Sequence, residues 1–269
     1  MDGTYYKEWS AALHREMEFK RYGHGGTPVL ALPARGGRFY DWENNALPEA
    51  AAALLQAGKL QLFCADSIDA ESLLAGNDTP RRRAEMQEKY FCYLTEELAP
   101  RILELTAAPK AADAKAEEAD KTEEKPVLWC AGVDTGAYQA VNCRLRRPAL
   151  FAGAIGLSGL YDAARFFDGE ADDLILRNSP LEALPENGIY DRKLLAAADE
   201  NSLLLCAGQG GYEEDAQADT RALAAALTAA GIPAHCEIWG SDVSHDWYWW
   251  GKELHLFAER IFGEGGNHA

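Results

Sequence analysis

The sequence has no long hydrophobic run and no excess of basic residues. No apolar stretch approaches the ~20 residues that a membrane-spanning helix needs. Lys and Arg number 26 against 43 Asp and Glu, which gives a formal net charge of −17. A surface with this charge repels phosphate backbones and anionic lipid. We therefore expect neither a nucleic acid nor a membrane among the partners of this protein.

Metal, redox and cofactor motifs are also missing. None of the six cysteines forms a C-x-x-C pair, the six histidines are scattered, and no glycine-rich phosphate loop occurs. A free cysteine in an apolar, strand-like run behaves as a small buried hydrophobic group. Four cysteines lie in such runs: Cys64, Cys130, Cys206 and Cys236. Residues 1–20 lack the apolar core of a secretory signal. We expect a reduced, cytoplasmic protein that needs no metal ion or cofactor.

What the 269 residues do contain is an alternation of short apolar runs and helical patterns. Such alternation is typical of a mostly parallel sheet with helices on both faces. The mixed aromatic and charged residues at 4–22 predict antiparallel strands at the N-terminal edge. Residues 107–126 contain almost only Ala, Lys, Glu, Asp, Thr and Pro, and predict a solvated, flexible insert. The sequence thus predicts one α/β domain over residues 1–269.

Turn and cap signals set the predicted boundaries. Thr79 is a candidate N-cap with Pro80 at the first helical position, and Pro100 is a candidate kink in the same helix. Gly231 is a good C-terminal glycine for a later helix. After residues 4–22 we predict strands at 28–33, 60–65, 126–131, 153–157, 202–207 and 234–239. We predict helices at 48–57, 79–105, 136–146, 219–230 and 247–262.

The most informative segment is KPVLWCAGVDTGAYQAVNCRLRRP. Its apolar strand runs into Gly132-Val133-Asp134-Thr135-Gly136 and directly into a helix. This is the pattern of a nucleophile elbow, G-x-Nu-x-G, in which the central side chain projects over the sheet from a strained turn. Glycines at both ends let strand and helix approach closely. The backbone N–H of Thr135, at the helix N-terminus, is then a candidate oxyanion donor.

A histidine and several acids follow the elbow along the chain. His245 lies in a loop between the last predicted strand and the last predicted helix. Glu213, Glu214 and Asp215 follow the strand SLLLCA, and an acid there could orient the imidazole. Elbow, acid and histidine occur in the chain order of a serine-hydrolase triad. We place Glu213 first among the three acids, although adjacent acids before a helix are often only partners of its dipole.

Six segments, distributed along the chain, resemble segments of a known protein family. They read REMEFKRYGHGGTPVLALPARGGRFYDWEN, LQLFCADSIDAES, YFCYLTEELAPRI, GAYQAVNCRLRRPALFAGAIGLSGLYDAARFF, GQGGYEED and SHDWYWWGKEL. Together they resemble the esterase group of the α/β hydrolases, which is related to esterase D and S-formylglutathione hydrolase. The resemblance covers nearly the whole chain and implies an α/β-hydrolase fold.

The resemblance also implies roles for individual positions. His245 matches the histidine of the group and Glu213 its acid. The loop at residues 34–38, with Arg35, matches the segment that supplies the second oxyanion N–H. The elbow of the group reads G-x-S-M-G, whereas this sequence has Asp134 at the position of the nucleophilic serine. Ser158 lies in an LSG segment that the group shares without using it as the nucleophile.

Asp134 changes the chemistry that this site can perform. A carboxylate attacks alkyl carbons without a base, as in haloalkane dehalogenases and epoxide hydrolases. Its attack on an ester carbonyl would give a mixed anhydride and place negative charge beside the oxyanion. Loss of the serine alone removes about six orders of magnitude in turnover from a triad hydrolase. Asp134 therefore argues against ordinary ester hydrolysis.

Three functional hypotheses follow. The first is an esterase-like hydrolase with at most weak or altered activity on small ester-like substrates. The second is a non-catalytic descendant in which Asp134 and His245 form an ion pair and the pocket binds a ligand or partner. The third is an aspartate-nucleophile hydrolase of alkyl substrates, although residues 159–200 could supply only a small lid in place of a cap domain. The tryptophans at 247, 249 and 250 do not distinguish them, and homo-oligomerisation stays open.

Overall fold

The computed structural model describes residues 1–107, 128–182 and 191–263. The predicted insert at 107–126 lies outside these ranges except for Ala107, which ends a helix. One eight-stranded sheet forms the centre of the structure, in the strand order β1-β2-β4-β3-β5-β6-β7-β8. The strands are β1 Thr4–Ser10, β2 Arg15–Tyr22, β3 Thr27–Leu32, β4 Leu60–Ala65, β5 Leu128–Val133, β6 Phe151–Leu157, β7 Leu203–Ala207 and β8 His235–Ile238.

The pairing of the strands confirms the predicted sheet. β1 pairs antiparallel with β2, and β2 pairs antiparallel with β4. All other pairs, from β4–β3 to β7–β8, are parallel. Every residue of β4, β5 and β7 is buried, because a parallel sheet is covered on both faces. Two separate hydrophobic clusters on the two sides of the sheet form most of the core.

The helices of the described chain are α1 Asp41–Asn44, α2 Leu47–Ala50, α3 Ala52–Gln56, α4 Pro80–Cys92, α5 Ala99–Ala107, α6 Thr135–Arg146, α7 Asp173–Arg177, α8 Arg192–Ala196, α9 Glu214–Ala230 and α10 Trp247–Phe262. Short 3₁₀ turns add Asp69–Glu71, Ala163–Phe166 and Glu200–Ser202. No helix within the described residues is long and apolar enough to cross a membrane.

The long helix predicted at 79–105 is interrupted. The Thr79 hydroxyl accepts the backbone N–H of Arg82 (3.2 Å), as an N-cap should. A π-helical stretch, Tyr93–Leu98, then separates α4 from α5. The wider turn ends just before Pro100, whose nitrogen has no hydrogen to donate to the preceding turn. The proline thus marks the irregularity, which takes the form of a π turn.

Two further predicted helices have different bounds in the structure. The helix predicted at 48–57 is two short helices, α2 and α3, separated at Ala51. Helix α9 begins at Glu214, five residues earlier than predicted, and ends at Ala230, where Gly231 caps it in the left-handed region (φ 70°). The described part of 159–200 holds only short helices. No element the size of a cap domain lies there.

Candidate active site

The turn between β5 and α6 has the geometry of a nucleophile elbow. Asp134 has φ 54° and ψ −120°, a conformation that costs a non-glycine residue of order 1–3 kcal/mol. A Cβ atom added to Gly132 would lie 2.0 Å from the carbonyl oxygen of Gly136. One added to Gly136 would lie 2.4 Å from the carbonyl oxygen of Leu32. Only glycine lets the strand and the helix meet this closely, so the turn presents residue 134 at the edge of the sheet.

The side chain of Asp134 is 7% exposed, and its carboxylate has three neighbouring donors. The backbone N–H of Arg35 donates to Oδ2 (3.1 Å), and Nη2 of the same residue lies 3.4 Å from Oδ1. Nε2 of His245 lies 3.7 Å from Oδ1, which is an ion-pair distance and longer than a hydrogen bond. Asp134 is therefore held on one side by the loop after β3 and faces the histidine on the other.

His245 is placed by the loop that joins β8 to α10. Its backbone N–H donates to the carbonyl oxygen of Gly211 (3.0 Å), and its ring packs edge-on against Trp250 (4.9 Å between centroids). Burial alone would lower its pKa, but the carboxylates of Asp134 and Glu213 outweigh burial and raise the pKa to about 9. The imidazole is consequently protonated at neutral pH.

Glu213 is the acid that the fold brings to this histidine. Its side chain is 1% exposed, and Oε1 lies 3.5 Å from Nδ1 of His245. Glu214 and Asp215 are exposed on the first turn of α9, and Asp215 pairs with Arg165 (2.9 Å). The structure thus brings one of the three candidate acids into the site and turns the other two outward.

Ser158 has a place in the site that the sequence did not indicate. Its hydroxyl donates to Oε1 of Glu213 (2.6 Å) and accepts the indole N–H of Trp250 (2.9 Å). Trp250 also packs against the His245 ring, so Ser158 links Glu213 to the tryptophan that contacts the histidine. Within the described residues, Nδ1 of His245 and Oε2 of Glu213 are buried without a hydrogen-bond partner.

Sequence reasoning missed two buried carboxyl groups beside these residues. Asp69 accepts hydrogen bonds from the Thr135 hydroxyl (2.7 Å) and the Gly36 backbone N–H (3.1 Å). Glu253, on α10, is fully buried 3.4 Å from Sγ of Cys206, and burial raises its pKa to about 8. The position of Asp69 just after β4, at the same sheet edge as the elbow, was a usable signal. Glu253 lies on the buried face of α10, and its spacing from the apolar residues there gave no signal that set it apart from the core.

No group of three or more His, Cys, Asp or Glu side chains within the described ranges is arranged to hold a metal ion. All six cysteines carry free thiols.

Comparisons with known proteins rest on solved structures. No protein-family model matches the chain, and no curated protein matches it by sequence. A ferulic acid esterase superposes with a TM-score of 0.67 at 15% identity, over 97% of this chain and 99% of its own. The S-formylglutathione hydrolase of Agrobacterium tumefaciens gives 0.67 at 15% identity, over 96% and 95%. The Mycobacterium tuberculosis protein MPT51 gives 0.67 at 15% identity, over 98% of each chain.

The chain has the α/β-hydrolase fold. The predicted fold class is confirmed by these neighbours, together with the parallel sheet and its antiparallel N-terminal edge. In an α/β hydrolase the nucleophile lies at a strained strand-to-helix turn, followed in the chain by the acid and the histidine. In this structure Asp134 lies at the turn between β5 and α6, and Glu213 and His245 follow it in the loops after β7 and β8.

Proposed function

We propose that this protein is an esterase-like α/β hydrolase whose site is blocked for ordinary ester hydrolysis by Asp134, so that at most weak or altered activity on small ester-like substrates remains. The observation that carries the proposal is the hydrogen bond from the Arg35 N–H to Oδ2 of Asp134. The same N–H is the predicted donor to the oxyanion. An esterase-like substrate class is supported by neighbours named as a ferulic acid esterase and an S-formylglutathione hydrolase.

The hydrogen bond at Arg35 affects the step in which negative charge develops. An oxyanion donor must lie 2.7–3.1 Å from the position that the oxyanion will occupy, roughly the distance at which Arg35 N–H already holds Asp134. A substrate carbonyl would have to displace this carboxylate. It would also meet negative charge where the transition state accumulates more. Both effects raise the barrier to acyl transfer.

The charge of His245 affects proton transfer. A general base must be unprotonated, and the pKa of His245 is raised to about 9 by the flanking Asp134 and Glu213 carboxylates against the opposing effect of burial. Below that pH the imidazolium lies in a row between the two carboxylates, and the Arg35 guanidinium beside Asp134 supplies the second positive charge. Such a row supports ligand binding, the second hypothesis, better than it supports activation of water.

The aspartate-nucleophile hypothesis has weaker support. It also requires a neutral histidine, to activate the water that cleaves an alkyl-enzyme ester. The indole N–H of Trp250 is bonded to Ser158 and therefore is not presented to a leaving group. For this hypothesis, mass spectrometry after incubation with epoxides and haloalkanes should find an alkyl adduct on Asp134.

The deciding experiment restores the serine. We expect Asp134→Ser to hydrolyse short-chain p-nitrophenyl esters at least about a thousandfold faster than the wild type, because a triad depends on its nucleophile. Asp134→Ser combined with His245→Ala should lose this gain, and Asp134→Asn is the matched control without a nucleophile. Rapid ester hydrolysis by the wild type that His245→Ala abolishes would contradict the proposal.

A further inference from the structure

Asp69 joins three segments of the chain at the candidate site. It lies in the 3₁₀ turn after β4, and its side chain is 1% exposed. One oxygen, Oδ2, accepts both the backbone N–H of Gly36 (3.1 Å) and the hydroxyl of Thr135 (2.7 Å). Gly36 belongs to the loop after β3, and Thr135 is the first residue after the elbow. A single carboxylate oxygen therefore connects the turn, the loop and the elbow.

No ion pair with a described residue compensates the burial of the Asp69 carboxyl group. Burial raises its pKa to about 6, against the hydrogen bonds from Thr135 and Gly36. The nearby Asp134 carboxylate contributes to this raised pKa and Arg35 opposes it, while Tyr90 faces the group from α4. Oδ1 has no hydrogen-bond partner within the described residues. A buried carboxyl group that is only half satisfied destabilises a fold, so its contacts call for an explanation.

The contacts of Asp69 fix the conformation of the loop after β3. Two consecutive N–H groups of this loop donate to carboxylates from different segments, Arg35 to Asp134 and Gly36 to Asp69. The turn between them is tight, since Gly37 N–H donates to the carbonyl oxygen of Ala34 (2.8 Å) and Gly36 has φ 64°. Fixing the Gly36 N–H therefore fixes the direction of the Arg35 N–H.

We propose that Asp69 is the positioning residue of the candidate oxyanion hole, holding the loop so that the N–H of Arg35, and not that of Gly36, faces residue 134. This rests on the proposed function only for the location of the hole. In the wild type the positioned N–H binds the Asp134 carboxylate. In an enzyme with serine at the elbow it would bind the oxyanion.

The outer half of the same loop is held by the same segment. Asp66 accepts the backbone N–H of Phe39 (2.9 Å) and Nε of Arg38 (2.8 Å), and the Ser67 hydroxyl donates to the carbonyl oxygen of Gly37 (3.0 Å). Residues 66–69 after β4 thus form hydrogen bonds with residues 36–39 of the loop after β3. Only Asp69 among these contacts reaches the end of the loop that meets the elbow.

Hydrogen–deuterium exchange of the otherwise unchanged chain tests the loop contact. Asp69→Ala should speed exchange in peptides that cover residues 34–37 about tenfold, the loss expected for a hydrogen bond to a charged group. Asp69→Asn should stay close to wild type, because its amide oxygen still accepts both donors. Asp219→Asn is the matched control: Asp219 is a buried carboxylate that accepts the N–H of Tyr161 (2.9 Å) away from the elbow. Unchanged exchange in Asp69→Ala would overturn the proposal.

Kinetics in the Asp134→Ser background test the positioning itself. Removal of one oxyanion donor costs about 10²–10³ in kcat, so Asp69→Ala should lower kcat by about a hundredfold with little change in KM. Asp69→Asn should restore most of kcat and remove any ionisation near pH 6 from the pH profile. A kcat unaffected by Asp69→Ala would overturn the positioning role. If Asp134→Ser were itself inactive, the proposed function would fail, and the exchange experiment would still decide whether Asp69 holds the loop.

Discussion

The two sides of the candidate site differ in how well their parts fit each other. On the acid side, Trp250 donates to Ser158 and Ser158 donates to Glu213, whose Oε1 lies 3.5 Å from Nδ1 of His245, an ion-pair distance without a hydrogen bond. On the elbow side, the strained turn presents a carboxylate that already accepts the Arg35 N–H of the loop beside it. The side chain at position 134 thus accounts for the difference between the two halves of the site.

The largest effect should come from the elbow backbone. We expect Gly132→Ala to lower the free energy of unfolding by more than about 3 kcal/mol or to prevent folding, because its Cβ would lie 2.0 Å from a backbone oxygen of α6. Urea denaturation followed by circular dichroism measures this. The control is Gly251→Ala in α10, where nothing lies within 4 Å of an added Cβ and alanine should stabilise the helix. Equal stabilities of the two variants would mean that the elbow is looser than described.

A second prediction compares the two carboxylates that flank the histidine. In the wild type we expect an NMR titration to give His245 a pKa near 9. Asp134→Asn and Glu213→Gln should each lower it by about one unit or more, because each removes an opposite charge next to a buried imidazolium. Glu214→Gln, an exposed neighbour, should leave it unchanged. A pKa near 6.5 in the wild type would remove the charge argument against a general base.

The smallest effect should come from Glu253. Burial raises its folded pKa to about 8, so the folded state binds a proton that the unfolded state releases near pH 4.3. Stability from this group is complete at low pH and is lost as the pH rises through 8. The free energy of unfolding should therefore fall less between pH 5 and pH 8.5 in Glu253→Gln than in the wild type, by about 1 kcal/mol or more, as measured by thermal denaturation at each pH. An unchanged pH dependence relative to the exposed control Glu259→Gln would contradict this.

Much of the fold could be predicted because its signals are local. Buried parallel strands are short apolar runs, and β4 and α10 have the predicted bounds. The elbow was visible because the two glycines that it requires flank Asp134. The early start of α9 and the π turn before α5 were not predicted, since they depend on packing and on the register of hydrogen bonds.

The candidate site was predictable only in its outline. Chain order pointed to Asp134, His245 and one of three acids, the resemblance favoured Glu213 among these acids, and the structure places Asp134, Glu213 and His245 together. The resemblance pointed to the N–H of Arg35 as an oxyanion donor, but the sequence could not show that this N–H binds the Asp134 carboxylate. It also gave no reason to place Ser158 or Asp69 beside the site, because their contacts join residues more than 30 positions apart. Such contacts arise from the crossing of distant strands, which no local pattern records.

The hydrogen bond between Arg35 and Asp134 has a consequence for inhibition. An ester hydrolase releases a carboxylate as its product, and a carboxylate already occupies the N–H that we propose as the oxyanion donor. This one is covalently attached, so it neither diffuses away nor can be diluted, and its effective concentration is set by geometry alone. The chain can therefore be regarded as a hydrolase fold that carries its own product analogue. Only a rotation of the Asp134 side chain, driven by a better partner for its charge, would empty that place for a ligand.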